Sequence, residues 1–102
     1  MKRLSYLEKV DLNIQRALGQ TAAQVYALVK TFSKLSEGVC SASEITMAEQ
    51  LGVSWRSVSR ALKILEQEGL IRCIGTSKEL KTKQYVPLRD AWRKYHEEGP
   101  EL

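Results

Sequence analysis

The spacing of apolar residues between Ser43 and Ile71 (SEITMAEQLGVSWRSVSRALKILEQEGLI) constrains this chain more than any other feature. Met47, Ala48 and Leu51 recur at helical intervals, and so do Val58, Ala61, Leu62 and Leu65. A serine precedes each run and a glycine follows it. Ser43 and Ser54 suit N-caps, because a hydroxyl there accepts a hydrogen bond from an orphan backbone N–H. Gly52 and Gly69 suit helix ends, where glycine takes the left-handed conformation without a steric penalty. The pattern predicts a helix over 44–51, a tight turn, and a second helix over 55–68. The turn is too short for antiparallel packing, so the two helices cross with their apolar stripes facing, as a helix-turn-helix.

The rest of the chain supplies a core for this pair. Leu4, Leu7, Val10, Ile14 and Leu18 predict a helix over 4–18, with Gly19 as its stop. Its stripe needs cover, from a partner chain or from the back face of its own domain. Thr21 is the expected cap of a helix over 22–35. There Ala23, Val25, Tyr26, Leu28, Val29, Phe32 and Leu35 make so broad an apolar face that the helix reads as the buried spine, with Tyr26 and Phe32 in the core. After a turn at 36–38, Val39 and Cys40 form a very short extended piece. Beyond Gly69 the periodicity changes: 70–74 and 84–87 read as two strands. The tip between them, 75–83, carries Lys78, Lys81 and Lys83. A final helix over 88–97 lines up Leu88, Ala91, Trp92 and Tyr95, with Trp92 in the core or a dimer interface. His96 receives no role, and 99–102 reads as a disordered tail. The expected fold class is mainly α with a small β-hairpin.

Charge is unevenly placed. The chain of 102 residues carries a formal +4. From Ser54 to Lys94 ten Lys and Arg face four Asp and Glu, a net +6, whereas the residues after Lys94 sum to −3. On the 55–68 helix, Trp55, Arg56, Ser57, Ser59, Arg60 and Lys63 all fall off the apolar stripe, and no acidic residue interrupts them before Glu66. A basic face of this kind is either a solvated surface or the electrostatic footprint of a polyanion partner. No run of eighteen apolar residues exists, so no transmembrane helix is expected. Glu8 and Asp11 break any signal-peptide core, and a cytoplasmic location is expected. Cys40 and Cys73 are read as small buried apolar residues. Two cysteines and one histidine do not make a recognised zinc set, so no metal or other cofactor is expected. There is no phosphate-binding Gly-rich loop and no convergent Ser, His and carboxylate set, and the chain is read as a non-enzyme.

A resemblance rests on the Ser43 cap, Met47-Ala48, Leu51-Gly52-Val53-Ser54, Val58-Ser59-Arg60-Ala61-Leu62, Leu65-Glu66 and Gly69-Leu70-Ile71. Residues from about 21 to 87 resemble a winged helix-turn-helix domain. Similar patterns occur in MarR-type and GntR-type regulators and in the DNA-binding domains of phage and plasmid replication initiators. Trp55 departs from the pattern, which usually has a small or basic residue there. The resemblance implies an N-terminal helix at 1–19 open to dimerisation, a winged domain at 20–87, and a C-terminal helix and tail at 88–102. It implies a DNA-binding transcriptional regulator with double-stranded DNA as partner. Arg56, Ser57, Ser59 and Arg60 would read base edges in the major groove, beside Trp55, while Ser54 would bond backbone or phosphate. Lys63 and the wing lysines Lys78, Lys81 and Lys83 would contact phosphates or the adjacent minor groove. A homodimer through the terminal helices would read a palindrome with half-sites about 34 Å apart. The alternatives are a DNA-binding component of a phage or plasmid replication or partition system, and a protein-interaction winged helix.

Overall fold

A computed structural model describes residues 10–79 and 81–96. The expectations for Leu4 and Leu7, for Leu80 in the expected 75–83 tip and for the tail from Glu97 onward lie outside the described residues. The elements in chain order are α1 (Leu12–Leu18), α2 (Gln20–Leu35), α3 (Glu44–Leu51), α4 (Trp55–Gln67), β1 (Ile71–Thr76), β2 (Lys83–Pro87) and α5 (Arg89–Lys94). The chain is therefore mainly helical with one small antiparallel hairpin.

The spine is α2. Ala22, Ala23, Val25, Tyr26, Ala27, Leu28 and Val29 are all buried along it, and α1, α3, α4 and β2 pack against it. Leu35 departs from the expected apolar face and is 61% exposed, because the helix has by then run past the packed elements. From α3 come Met47 and Ala48, from α4 Val58, Ala61, Leu62 and Leu65, and from β1 Ile71. Both serine caps form as the sequence predicts: Ser43 accepts from the Thr46 amide and Ser54 from the Ser57 amide. Gly52 closes α3 in the left-handed region, φ 70°.

Several boundaries differ from expectation, among them that of the last helix, expected over 88–97, which runs over Arg89–Lys94 with Leu88 as its extended N-cap. Among the described residues the first helix, expected over 4–18, begins at Leu12, and Val10 precedes it; Asp11 caps it, its carboxylate accepting from the amides of Asn13 and Ile14. The expected Thr21 cap is displaced by Gly19, which ends α1 and starts α2 at φ 102°. That positive φ is open to glycine and reverses the chain at one residue. The strands also extend further into the expected tip, taking in Gly75, Thr76 and Lys83, with an irregularity between Cys73 and Gly75. On its other edge β2 pairs with Cys40: Cys40 N–H donates to Tyr85 O at 2.8 Å and Tyr85 N–H to Cys40 O at 2.9 Å. Cys40 is buried, and burial pushes its thiol pKa up; Cys73, expected to be buried as well, is only half-buried.

Ile14 is fully buried within this one chain, so the apolar face of α1 is covered in part by its own domain. A polar node then ties α1 to α5. Asp11 Oδ2 accepts from Trp92 Nε1 at 3.1 Å and lies 2.5 Å from His96 Nε2, while Asn13 Nδ2 donates to Tyr95 O at 2.7 Å. The His96 and Trp92 rings stack with centroids 4.0 Å apart. His96, given no role from sequence, thus clamps the two ends together.

Partial burial pushes the Asp11 carboxyl up, but the Ile14 amide and the His96 and Trp92 donors outweigh it, and its pKa lies below the ordinary 3.8. A depressed folded-state pKa contributes stability above the unfolded value, and that contribution is lost as pH falls through the folded value. Urea unfolding of Asp11→Asn should therefore show a deficit against wild type at pH 7 that closes as pH drops below about 4. A deficit independent of pH would show that the carboxylate charge contributes nothing there.

Candidate nucleic-acid interface

The orientation of α4 follows from its own sequence. Burial of Val58, Ala61, Leu62 and Leu65 against the spine fixes the helix's rotation. Arg56, Arg60 and Lys63, spaced by four and then three residues, are thereby turned outward on one face, and all three are exposed. Ser57 and Ser59 lie at the two edges of that face and are half-buried. Ser54 Oγ accepts from the Ser57 amide at 3.2 Å and sits 3.0 Å from Ser57 Oγ, so both hydroxyls are engaged in the cap. Trp55 is 52% exposed, and the Arg56 guanidinium lies over its ring, 5.7 Å from the centroid.

The charges on α4 do not favour the free helix. Its first turn holds no acidic residue and its last turn no basic one. Arg56 stands at the positive end of the helix dipole and Glu66 near the negative end; each such placement costs roughly 0.3–1 kcal/mol. Arg56 and Arg60, four apart, add like-charge repulsion of a few tenths of a kcal/mol. Among the described residues no carboxylate forms an ion pair with Arg56, Arg60 or Lys63. The face is left with uncompensated positive charge that an external anion can neutralise.

The hairpin stands beside this helix. Thr82 Oγ1 donates to Ser41 O at 2.6 Å and Gln84 Nε2 to Ser41 Oγ at 3.0 Å, which fastens β2 to the segment leading into the Ser43 cap. At the tip, Ser77 N–H donates to Thr82 O and Lys81 N–H to Ser77 O, both at 2.8 Å. Lys78, Lys81 and Lys83 are exposed. Lys81 has φ 56°, a left-handed conformation that glycine or asparagine adopts more readily. Trp55 and Lys83 line one open cleft of about 410 Å3, together with Glu44, Ile45, Thr82 and Tyr85. The start of α4 and the base of the hairpin therefore face the same space. Burial pushes the pKa of the Tyr85 phenol on this cleft up to about 12.

Two features of this region are not legible in the sequence pattern. Ile45 is 62% exposed on the cleft; it falls off the Met47, Ala48 and Leu51 stripe, and that offset is the one available signal. Ser57 and Arg60 also line a second hollow of about 210 Å3 with residues 18–22 at the α1–α2 junction, a contact no local pattern announces. Part of the positive excess lies elsewhere: Arg89 of α5 lines a different cleft with Lys30 and Lys34, where the Lys30 ammonium sits 4.8 Å from the Tyr26 ring centroid. No group of His, Cys, Asp or Glu suited to a metal ion occurs among the described residues, and no helix among them is long and apolar enough to cross a membrane. Comparison with protein-family models, with curated proteins and with solved structures gave no match.

The Ser54 cap has serine three residues on, where a glutamate would complete a capping box. Ser57→Glu should raise the thermal midpoint by a few degrees, since about 0.5–1 kcal/mol shifts a domain of this size by roughly 2–8 °C. A fall in midpoint would contradict this cap geometry.

Proposed function

We propose that this protein binds double-stranded DNA in a sequence-specific manner as a small transcriptional regulator. In this reading α3 and α4 act as a helix-turn-helix with α4 in the major groove, and the 75–83 hairpin acts as a wing on the backbone or in the minor groove. The observation that carries the reading is the cationic arc of Arg56, Arg60 and Lys63, opposite the buried stripe and beside a lysine-bearing hairpin. The 13 residues of α4 span about 20 Å, enough for the helix to lie along a major groove.

The roles divide by chemistry. Arg56 and Arg60 are planar donor forks suited to guanine O6 and N7, worth about 1–3 kcal/mol of discrimination for each good pair. Lys63, Lys78, Lys81 and Lys83 act as point charges on phosphates and supply salt-dependent affinity without sequence information. Ser59, at the edge of the face, can bond a base edge or a phosphate, while Ser54 and Ser57 hold the start of the helix in place. A homodimer would place two copies of α4 about 34 Å apart on a palindromic site.

Selection of bound fragments from random duplex DNA, followed by affinity measurement across salt concentrations, tests this assignment. Arg60→Ala should weaken the selected sequence by roughly 5- to 150-fold and leave random duplex binding nearly unchanged. Lys81→Ala should weaken all duplexes alike and reduce the salt slope by about one. If both variants bind as wild type does at low salt, the proposed face is wrong.

A further inference from the structure

We propose that Trp55 and Ile45 together read the 5-methyl group of a pyrimidine, so that the preferred site carries a thymine, or equally a 5-methylcytosine, next to the guanine taken by Arg56. This inference rests on the DNA-binding reading above and narrows it to a base step.

Trp55 is 52% exposed and Ile45 62% exposed, and both line the one cleft between the start of α3, the start of α4 and β2. Neither is needed by the core. The inward face of α3 is built by Met47 and Ala48, and that of α4 by Val58, Ala61, Leu62 and Leu65. Large apolar side chains left in water forgo stabilisation that burial would return, at about 25 cal/mol per Å2. Arg56, whose guanidinium lies over the Trp55 ring, and Lys83, on the wall of the same cleft, are exposed cations, which point to a polyanion as the occupant of this face. A neutral apolar protein surface would desolvate those cations without compensation.

On the major-groove edge of duplex DNA the distinctive apolar group is the C5 methyl of thymine. An apolar pair set among cations thus has one natural counterpart there. Glu44, on the wall of the same cleft, repels phosphate and favours the approach of a base edge instead. Arg56 sets the neighbour: its guanidinium is 5.7 Å from the Trp55 ring centroid, between one and two base steps of about 3.4 Å. The ring and the fork can therefore address adjacent base pairs. Burial of one methyl should be worth about fourfold in affinity, from about 0.8 kcal/mol per buried CH2-sized group.

The test uses the full chain and a duplex recovered by selection from random DNA. Each thymine is replaced in turn by deoxyuridine, which removes only the methyl. Deoxyuridine should cost about fourfold at one thymine adjacent to a guanine and little elsewhere. At that position 5-methylcytosine should bind about fourfold better than cytosine. Trp55→Ala and Ile45→Ser should erase the thymine-to-deoxyuridine difference while retaining binding, and Trp55→Phe should preserve it. The inference is overturned if no deoxyuridine substitution changes the affinity of the wild-type protein. It is equally overturned if Trp55→Ala weakens thymine and deoxyuridine duplexes by the same factor, because the side chain then acts without sensing the methyl. If the selection recovers no duplex at all, the DNA-binding reading itself falls, an outcome distinct from a bound duplex that ignores its methyl groups.

Discussion

The packing of α4 against the α2 spine is the constraint from which the rest of the molecule follows. Val58, Ala61, Leu62 and Leu65 are each almost fully removed from water, and a buried aliphatic side chain of valine or leucine size contributes about 1.5–3 kcal/mol. Against this stand a basic residue at the positive end of the helix, an acidic one near the negative end, and two arginines one turn apart, each costing a fraction of a kcal/mol to about 1 kcal/mol. Burial wins by a clear margin. The helix is held in one rotation about its axis, and the residues that would be badly placed in an isolated helix are presented outward. Under the proposed function this electrostatic disadvantage in the free protein becomes a gain on a polyanion.

The two ends of α4 have different neighbours. Its N-terminal end shares a cleft with Ile45 and the base of the hairpin, which hydrogen bonds to Ser41 hold in position. At its C-terminal end, Glu68 accepts from the Tyr95 hydroxyl at 2.7 Å, and Gly69 lies against Ala91 of α5. Further along, Asp11, Trp92 and His96 join α5 to α1. The Asp11 node that joins α1 to α5 thus shares no residue with the clefts lined by Trp55 and by Arg60. A change at the Asp11 node would alter stability while leaving the Arg56 and Arg60 face in place.

Local chemistry made much of this legible from sequence. Serine caps and left-handed glycines act over three or four residues, so Ser43, Gly52 and Ser54 marked α3 and the start of α4 correctly. The outward face of α4 was legible for the same reason, since the apolar stripe dictates it. Interactions between distant residues left no such mark. The contact of Asp11 with His96 links positions 85 apart, and nothing near Asp11 distinguishes a cap with two further partners, Trp92 and His96, from a solvated helical residue. Gly19 reads as a stop alone, yet it also begins the next helix, because a helical pattern does not reveal how abruptly two helices join. The hairpin runs longer than expected since strand pairing depends on the partner strand more than on intrinsic preference. Ile45 lies outside the stripe and so carries no packing signal, and that same offset places it on the cleft.

Amide chemical-shift mapping of the labelled protein with a selected DNA duplex tests the central claim most directly. Binding through α4 predicts shifts concentrated at the Ser54 cap and along the outward face of that helix, with a second group in the hairpin around Lys78, Lys81 and Lys83, while α5 and the Asp11 end of α1 stay unchanged. Shifts confined to the cleft around Lys30, Lys34 and Arg89, or their absence at low salt, would contradict it.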